Sequence, residues 1–411
     1  MNTIIKRVFN FILVLFIIIS PLPQNVLITS AATNVMVYEY SPMLEDRGNI
    51  YYIQRVESDE YSYDIYRLEV ATGKKTRLIS SKDDILGMML HNDTLYYTSY
   101  EGEKDVYQTY SVSIDAKDKK TICNGYFLCL DDSSIYYTVI KGKESKLYKK
   151  DYGSKKSTFI YTGNMTFSFA KNLDNTLYFT QFDEVSSKLT LYTLIPEQTK
   201  LAVLTTDKIM LNGSERTSPK VSDVAKINGD IYYQYGTYQG TGNYWYGTLN
   251  KLDSGKNKKS VIAKQLYEEQ IYHNDNIIFY NDTDRSEVHY QYNTKTGKIS
   301  TYTYKATGTE SFNIFGDKTY CAKVDGKELI TVSRFTSGTN KSNLVKSFIK
   351  LSYKQEKKFD YSASVKKYGD YLLIPVTCRD YSDTSNGWRG RCVSVIWYVT
   401  DSDGKILAQF Q

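Results

Sequence analysis

The sequence predicts an all-β fold, a ring of four-stranded antiparallel blades, on three observations. Tyrosine is unusually common, with 40 copies against 16 Phe and 3 Trp, and tyrosine favours pleated, half-buried surfaces where its ring packs and its hydroxyl stays wet. A short motif, a polar turn followed by an aliphatic residue and two aromatics, recurs eight times. The copies lie 40 to 54 residues apart, the period of a β-propeller blade.

The chain opens on a segment that stands apart from the repeats. Lys6 and Arg7 form a basic stretch, Val8 to Ile19 is apolar except for Asn10, and Pro21 and Pro23 break the run. Ser30-Ala31-Ala32 then supplies the small residues of a cleavage site after Ala32, so residues 1–32 read as a signal peptide. The apolar run falls short of the roughly 20 residues that span a bilayer. No stable membrane insertion is therefore expected after cleavage, and no cysteine stands near the site to carry a lipid. The expected location is outside the cell or at its envelope, with 33–411 as a single propeller domain.

Each interval then divides in the same way. The motif copies are Ile50-Tyr51-Tyr52, Leu95-Tyr96-Tyr97, Ile135-Tyr136-Tyr137, Leu177-Tyr178-Phe179, Ile231-Tyr232-Tyr233 and Ile277-Ile278-Phe279, with the degenerate Thr319-Tyr320-Cys321 and Leu372-Leu373-Ile374. A second run follows each and ends in a sharp turn, such as Ala71-Thr72-Gly73-Lys74, Asp253-Ser254-Gly255-Lys256 or Asp401-Ser402-Asp403-Gly404, where glycine supplies the positive φ of a hairpin. A third run follows the turn, and a fourth precedes the next motif. Four short strands per period make a blade, and ring closure removes the exposed edges that so many strands would otherwise leave. Eight motifs predict eight blades; seven, with one degenerate period rearranged, is the alternative. Asn34–Tyr40 either forms the innermost strand of blade one or pairs with the last blade to close the ring.

The segments Tyr96-Tyr97-Thr98, Tyr136-Tyr137-Thr138 and Tyr178-Phe179-Thr180 resemble the Tyr-Trp-Thr-Asp repeat of lipoprotein-receptor propellers. The chain is also similar to secreted propeller-repeat proteins of Gram-positive bacteria and to TolB-like propellers. The receptor pattern is not fully kept: Tyr or Phe replaces its Trp, and Ser99, Val139 and Gln181 stand in place of its Asp. The resemblance implies a fold and leaves the ligand open.

Charge and cysteine usage narrow the function classes. Loss of residues 1–32 takes two of the 52 basic residues and leaves a net charge of about +4, too weak and too evenly spread for a nucleic-acid partner. Lysine pairs such as Lys119-Lys120 and Lys155-Lys156 sit near turns and read as solvated charge that protects strand edges. Five cysteines cannot all pair within the chain. Cys378 and Cys392 fall on successive strands and are candidates for a disulfide across a hairpin; Cys123 and Cys129 are a weaker pair.

Candidate chemistry lies where the repeat is interrupted. The 54-residue interval carries an extended connection, Thr205–Ser222. Blade five has an aromatic hairpin with Tyr238, Tyr244, Trp245 and Tyr246, and blade eight has a long loop with Tyr381, Trp388, Arg389 and Arg391 between Cys378 and Cys392. All three fall on the face formed by second-to-third-strand loops and blade-to-blade connections. Exposed aromatics and arginines flanked by polar groups suit sugar stacking or protein contact, or else they pack on their own loops. His91, His273 and His289 have no metal-ligand spacing, and there is neither a nucleophile elbow nor a phosphate loop. Asp401-Ser402-Asp403-Gly404 matches the other turns of its kind rather than a calcium loop. No catalytic residue, metal or cofactor is assigned. The leading expectation is a secreted, monomeric, non-enzymatic module that binds an extracellular protein or a cell-wall polysaccharide through that face. The alternatives are a carbohydrate-active enzyme with carboxylates at the ring centre and a structural scaffold of an extracellular complex.

Overall fold

The structure, a computed structural model, describes residues 43–410 except 57–61, 143, 165–166, 212–217, 240–243, 257, 267–268, 283–284, 304–310, 316–317, 326–328, 337–344, 351–358 and 381–390. Its secondary structure is β throughout, 33 strands among the described residues, every pairing antiparallel and nearly all between consecutive strands. Blade one shows the plan: Met43–Asp46, Asn49–Val56, Ser62–Glu69 and Lys74–Ser81, paired in that order. We call these positions A to D. Further meanders span 84–123, 126–164, 167–208, 220–266, 272–303, 311–350 and 359–410. The chain is a β-propeller of eight such meanders in seven hydrogen-bonded sheets, because a single bridge from Leu266 to Asp282 merges blades five and six. Asn34–Tyr40 lies outside the described residues, and the first described strand of blade one is Met43–Asp46.

The tyrosine motif follows from where strand B lies. Successive side chains point to opposite faces of a strand, and both faces of strand B are covered by a neighbouring blade. Ile50 and Tyr52 pack with Leu373, Val399 and Phe410 of blade eight, whereas Tyr51 and Ile53 pack with Ile85, Met88, Leu95 and Tyr97 of blade two. Blade four repeats the pattern: Leu177 and Phe179 join the seam with blade three, and Tyr178 joins Val221, Val224 and Tyr233 of blade five. The anchor and second aromatic thus face the preceding blade, and the first aromatic faces the next. A strand buried on both sides reads as an unbroken apolar run, not an alternating one. Each tyrosine ring brings roughly 150–250 Å² into these seams.

The residue after the motif adds a polar tie. Thr98 is buried, and its Oγ1 accepts the N–H of Phe127, on the innermost strand of blade three, at 3.1 Å. Thr180 accepts the N–H of Val221 on blade five at 3.4 Å. Both threonines point to the next blade, as their spacing from the first aromatic requires. The A–B turns are tight, with positive φ at both central residues of Arg47-Gly48, Asn92-Asp93, Asp174-Asn175 and Asn228-Gly229. That is the type I′ geometry whose twist matches the flanking strands.

The ring closes by packing. Tyr52 of blade one stacks on Phe410 of blade eight, ring centres 4.3 Å apart, and Phe410 stacks on Trp397 at 6.0 Å. Among the described residues, the last strand, Ile406–Phe410, pairs only with Arg391–Thr400, and the first pairs only with Asn49–Val56.

Candidate binding face

Antiparallel meanders sort the loops by face. A–B and C–D turns lie on one, and B–C hairpins and D–A connections on the other. On the second face the hairpins of blades five and eight stand out. Their strands, Asp230–Gln239 with Tyr244–Asp253 and Tyr371–Asp380 with Arg391–Thr400, are each ten residues long, against eight for strand B of blades one to four.

The tip of the blade-five hairpin is built around a tryptophan, and of the two readings the sequence offers for its ring the structure shows packing within its own loop. Trp245 is 3% exposed, not a free ring in a loop. Gly236 and Gly247 face each other across the hairpin and leave a slot for the indole. A Cβ on Gly236 would lie 2.7 Å from the Trp245 ring, and one on Gly247 would lie 2.7 Å from Trp245 Nε1. Tyr238, opposite Trp245, meets it edge-on at 5.4 Å. The Lys220 ammonium, from strand A, lies 5.7 Å from the Trp245 ring centre and 5.9 Å from that of Tyr238, and 3.5 Å from Glu269 in the connection to blade six. The hairpin is therefore fastened to the inner strand of its own blade.

Beside it lies a tie across three blades. Asp223, 6% exposed, accepts the Lys171 ammonium of blade four at 2.7 Å through Oδ1. Its Oδ2 accepts the N–H of Ile271, just ahead of blade six, at 2.8 Å. Residues 52 and 48 positions away converge on one carboxylate.

The other candidate positions are placed as follows. Tyr246 is half-buried. Tyr244 and Arg391 open their strands, with side chains outside the described residues, as are Tyr381, Trp388 and Arg389 entirely. The Cys378–Cys392 disulfide is not formed: Cys378 is a buried free thiol. The register sets Cys378 opposite Ser394 and Cys392 opposite Arg379, across a bulge, so the two are not a directly facing pair. Cys123 and Cys129 are also free; they lie on Lys120–Cys123 and Tyr126–Leu130, strands of two different blades. The connection expected over Thr205–Ser222 is shorter, since Ala202–Lys208 and Lys220–Ile227 are strands.

A feature the sequence reading missed lies on the same face. Val185, in the blade-four B–C turn, is 95% exposed; Met210 and Leu211, in the following D–A connection, are 77% and 41% exposed. The N–H of Ile209 donates to Ser187 O at 2.9 Å, holding the two segments together. Three exposed apolar side chains thus stand on two joined segments where the chain has no core to fill. Their signal was the run Ile209-Met210-Leu211 in an irregular connection, outweighed by the nearby aromatics.

The histidines have structural surroundings. His91 stacks on Tyr152 at 5.2 Å. His289 is fully buried, with Nδ1 2.5 Å from Asn281 Oδ1 and its ring stacked on Tyr302. Burial holds the imidazole at about 4, below its ordinary 6.5. The unfolded chain therefore takes up a proton near pH 6.5 that the folded chain refuses until about pH 4. This contribution is fully present above pH 6.5 and is lost as pH falls toward 4, by up to about 3 kcal/mol. Urea midpoints at pH 7.5, 5.5 and 4.5 are expected to drop more steeply for the parent than for His289→Gln; parallel profiles would refute the assignment.

Among the described residues no three His, Cys, Asp or Glu side chains gather as a metal site, and no helix is long and apolar enough to cross a membrane. A shallow cleft of about 360 Å³ lies on the A–B side between blades five and six, lined by Lys226, Asn228, His273 and Asp275 among others. Asp401 Oδ1 accepts the N–H groups of Asp403 and Lys405 at 3.0 and 2.9 Å, which makes that segment a capped turn.

No family model and no curated relative matches the chain. Similar solved structures include a prolyl endopeptidase (TM-score 0.48, 12% identity, 82% of this chain and 54% of that chain). Others are the β-propeller domain of the Trilobed protease from Pyrococcus furiosus (0.42, 9%, 90% and 98%) and TolB from Acinetobacter baumannii (0.32, 10%, 74% and 79%). The chain spans little more than half the length of the endopeptidase. These are likenesses of architecture, and the propeller assignment stands on the strand topology above.

Proposed function

We propose that this chain is an exported, non-enzymatic binding module that grips an extracellular protein through the B–C and D–A face at blades four and five. One observation carries the reading: Val185, Met210 and Leu211 stand exposed in two segments joined by the Ile209–Ser187 hydrogen bond, next to the blade-five hairpin. Apolar side chains clustered in loops are typical of protein contact surfaces. Their apolar character favours a protein over a glycan, which takes flat aromatic rings flanked by hydrogen-bonding groups. Trp245, the ring best suited to a sugar, is committed to the hairpin interior. Export rests on the basic, apolar and small-residue order of residues 1–32.

The test is a double substitution, Val185→Asp with Met210→Asp. Binding of the immobilised protein to proteins of the surrounding medium is expected to weaken at least tenfold, with the melting temperature unchanged because neither side chain fills a core. Unaltered capture by the double variant sinks the proposal.

A further inference from the structure

The opposite face sorts its charge in a way that edge protection does not explain. Strand D is the outermost of each blade, so the C–D turns form that face's outer rim. Exposed lysines stand at this turn, or at the first residues of strand D, in the seven blades where the turn is described: Lys74, Lys119, Lys156, Lys200, Lys258, Lys298 and Lys405. Lysines outnumber carboxylates there, and several of the carboxylates are held by their own turns. Asp253 Oδ1, for example, accepts the N–H groups of Gly255 and Lys256 at 3.0 and 3.1 Å. The B–C turns of the other face are more evenly mixed, with Glu101, Glu103, Asp105, Asp183 and Glu184 beside Lys104, Lys141 and Lys188.

Lysines that served only to protect an outer edge would be spread along it. They are more frequent at one end, although Lys208 and Lys264 stand at the other, and Phe159, Val203 and Ile299 stand exposed beside the rim lysines at the first residues of strand D. Lys119 of this rim, and Lys75 next to Lys74, are also held in place. Lys75 Nζ lies 3.9 Å from the Tyr66 ring centre, and Lys119 Nζ lies 4.4 Å from that of Tyr110. A cation pinned on an aromatic face has less side-chain freedom to lose on binding.

We infer that this lysine rim is a docking track for a linear polyanion, a chain bearing closely spaced phosphate or sulfate groups. This goes beyond the protein contact proposed above and uses the other face. A linear chain fits better than a planar anionic surface such as a membrane. The A–B turns of the same face carry Asp93, Asp174, Asp275 and Asp370, which a plane pressed on the face would meet and a chain following the rim avoids.

The experiment measures binding of inorganic polyphosphate and of heparin to the purified protein at 50 and 200 mM salt. Both probes are expected to bind, at least tenfold more weakly at the higher salt, because each lysine contact releases counterions. Combining Lys156→Gln, Lys200→Gln, Lys258→Gln and Lys298→Gln is expected to lower affinity tenfold or more. The slope of log affinity against log salt should flatten by about 3. A control set on the other face, Lys141→Gln, Lys188→Gln, Lys208→Gln and Lys264→Gln, is expected to change affinity less than twofold. If the rim set melts early, Lys156→Gln with Lys258→Gln carries the test, with an expected loss of about threefold. Equal losses from the two sets, no binding of either probe at 50 mM salt, or vesicles with phosphatidylserine bound as tightly as the chains would each overturn the proposal.

Discussion

Trp245→Ala is expected to lower folding stability by about 3–5 kcal/mol, the range for emptying a buried site of that size. The indole is 3% exposed and fills a slot between two glycines, so its loss leaves a cavity that the hairpin backbone is poorly placed to close. Gly236→Ala should be comparably harmful by the opposite route, since its Cβ would sit on the carbonyl oxygen of Tyr246, and backbone cannot swing aside as a side chain can. Guanidinium unfolding followed by far-ultraviolet circular dichroism reads both variants without relying on the removed fluorophore. A shift under about 1 kcal/mol for Trp245→Ala, the level of an ordinary surface change, would mean that the ring is free and would restore it as a candidate ligand contact.

Asp223→Ala is the second large effect expected. It strips the Lys171 ammonium of its partner and leaves the N–H of Ile271 without an acceptor. The loss should be about 2–4 kcal/mol, between a charge-assisted hydrogen bond and a buried ion pair, because Lys171 is partly exposed and regains some water. Asp223→Asn keeps an oxygen for Ile271 and should recover about half. Because the carboxylate is almost wholly buried, the difference between parent and Asp223→Ala should change little between 0.1 and 1 M salt, where an exposed pair would be screened away. Denaturant midpoints at the two salt concentrations check this, and a difference that vanishes at high salt would place the pair at the surface.

These two sites show which parts of the molecule could be read in advance. The blades could, because Ile50-Tyr51-Tyr52 and its copies obey a local rule: a strand covered on both sides must be apolar at consecutive positions, and each copy repeats the rule. The tip of the blade-five hairpin could not. Tyr-Gly-Thr-Tyr-Gln-Gly-Thr-Gly reads as an open loop with rings in solvent until the register sets Gly236 opposite Gly247. Only that pairing turns two flexible residues into a slot for an indole. Asp223 was equally silent, since its partners lie about one blade away in either direction and nothing in the sequence links them. Cys378 and Cys392 made the reverse error attractive. Neighbouring strands were enough to suggest a bridge, but the register sets Cys378 opposite Ser394 and Cys392 opposite Arg379. The lysine pairs were correctly placed near turns, but their gathering on one face becomes visible only when the meanders are closed into a ring.

The seam that joins Tyr52 to Phe410 bears on how the molecule is made. Every other seam unites blades adjacent in sequence, so each can form while the ribosome is still adding residues. This one waits for the final strand. Until then Met43, Ile50, Tyr52 and Leu68, which the finished ring covers with blade eight, remain bare at the leading end of a nascent chain, the kind of surface that draws unfinished proteins into aggregates. The hazard is one of timing. It is absent from the mature molecule, acute for the interval of synthesis, and permanent in any product truncated before residue 406.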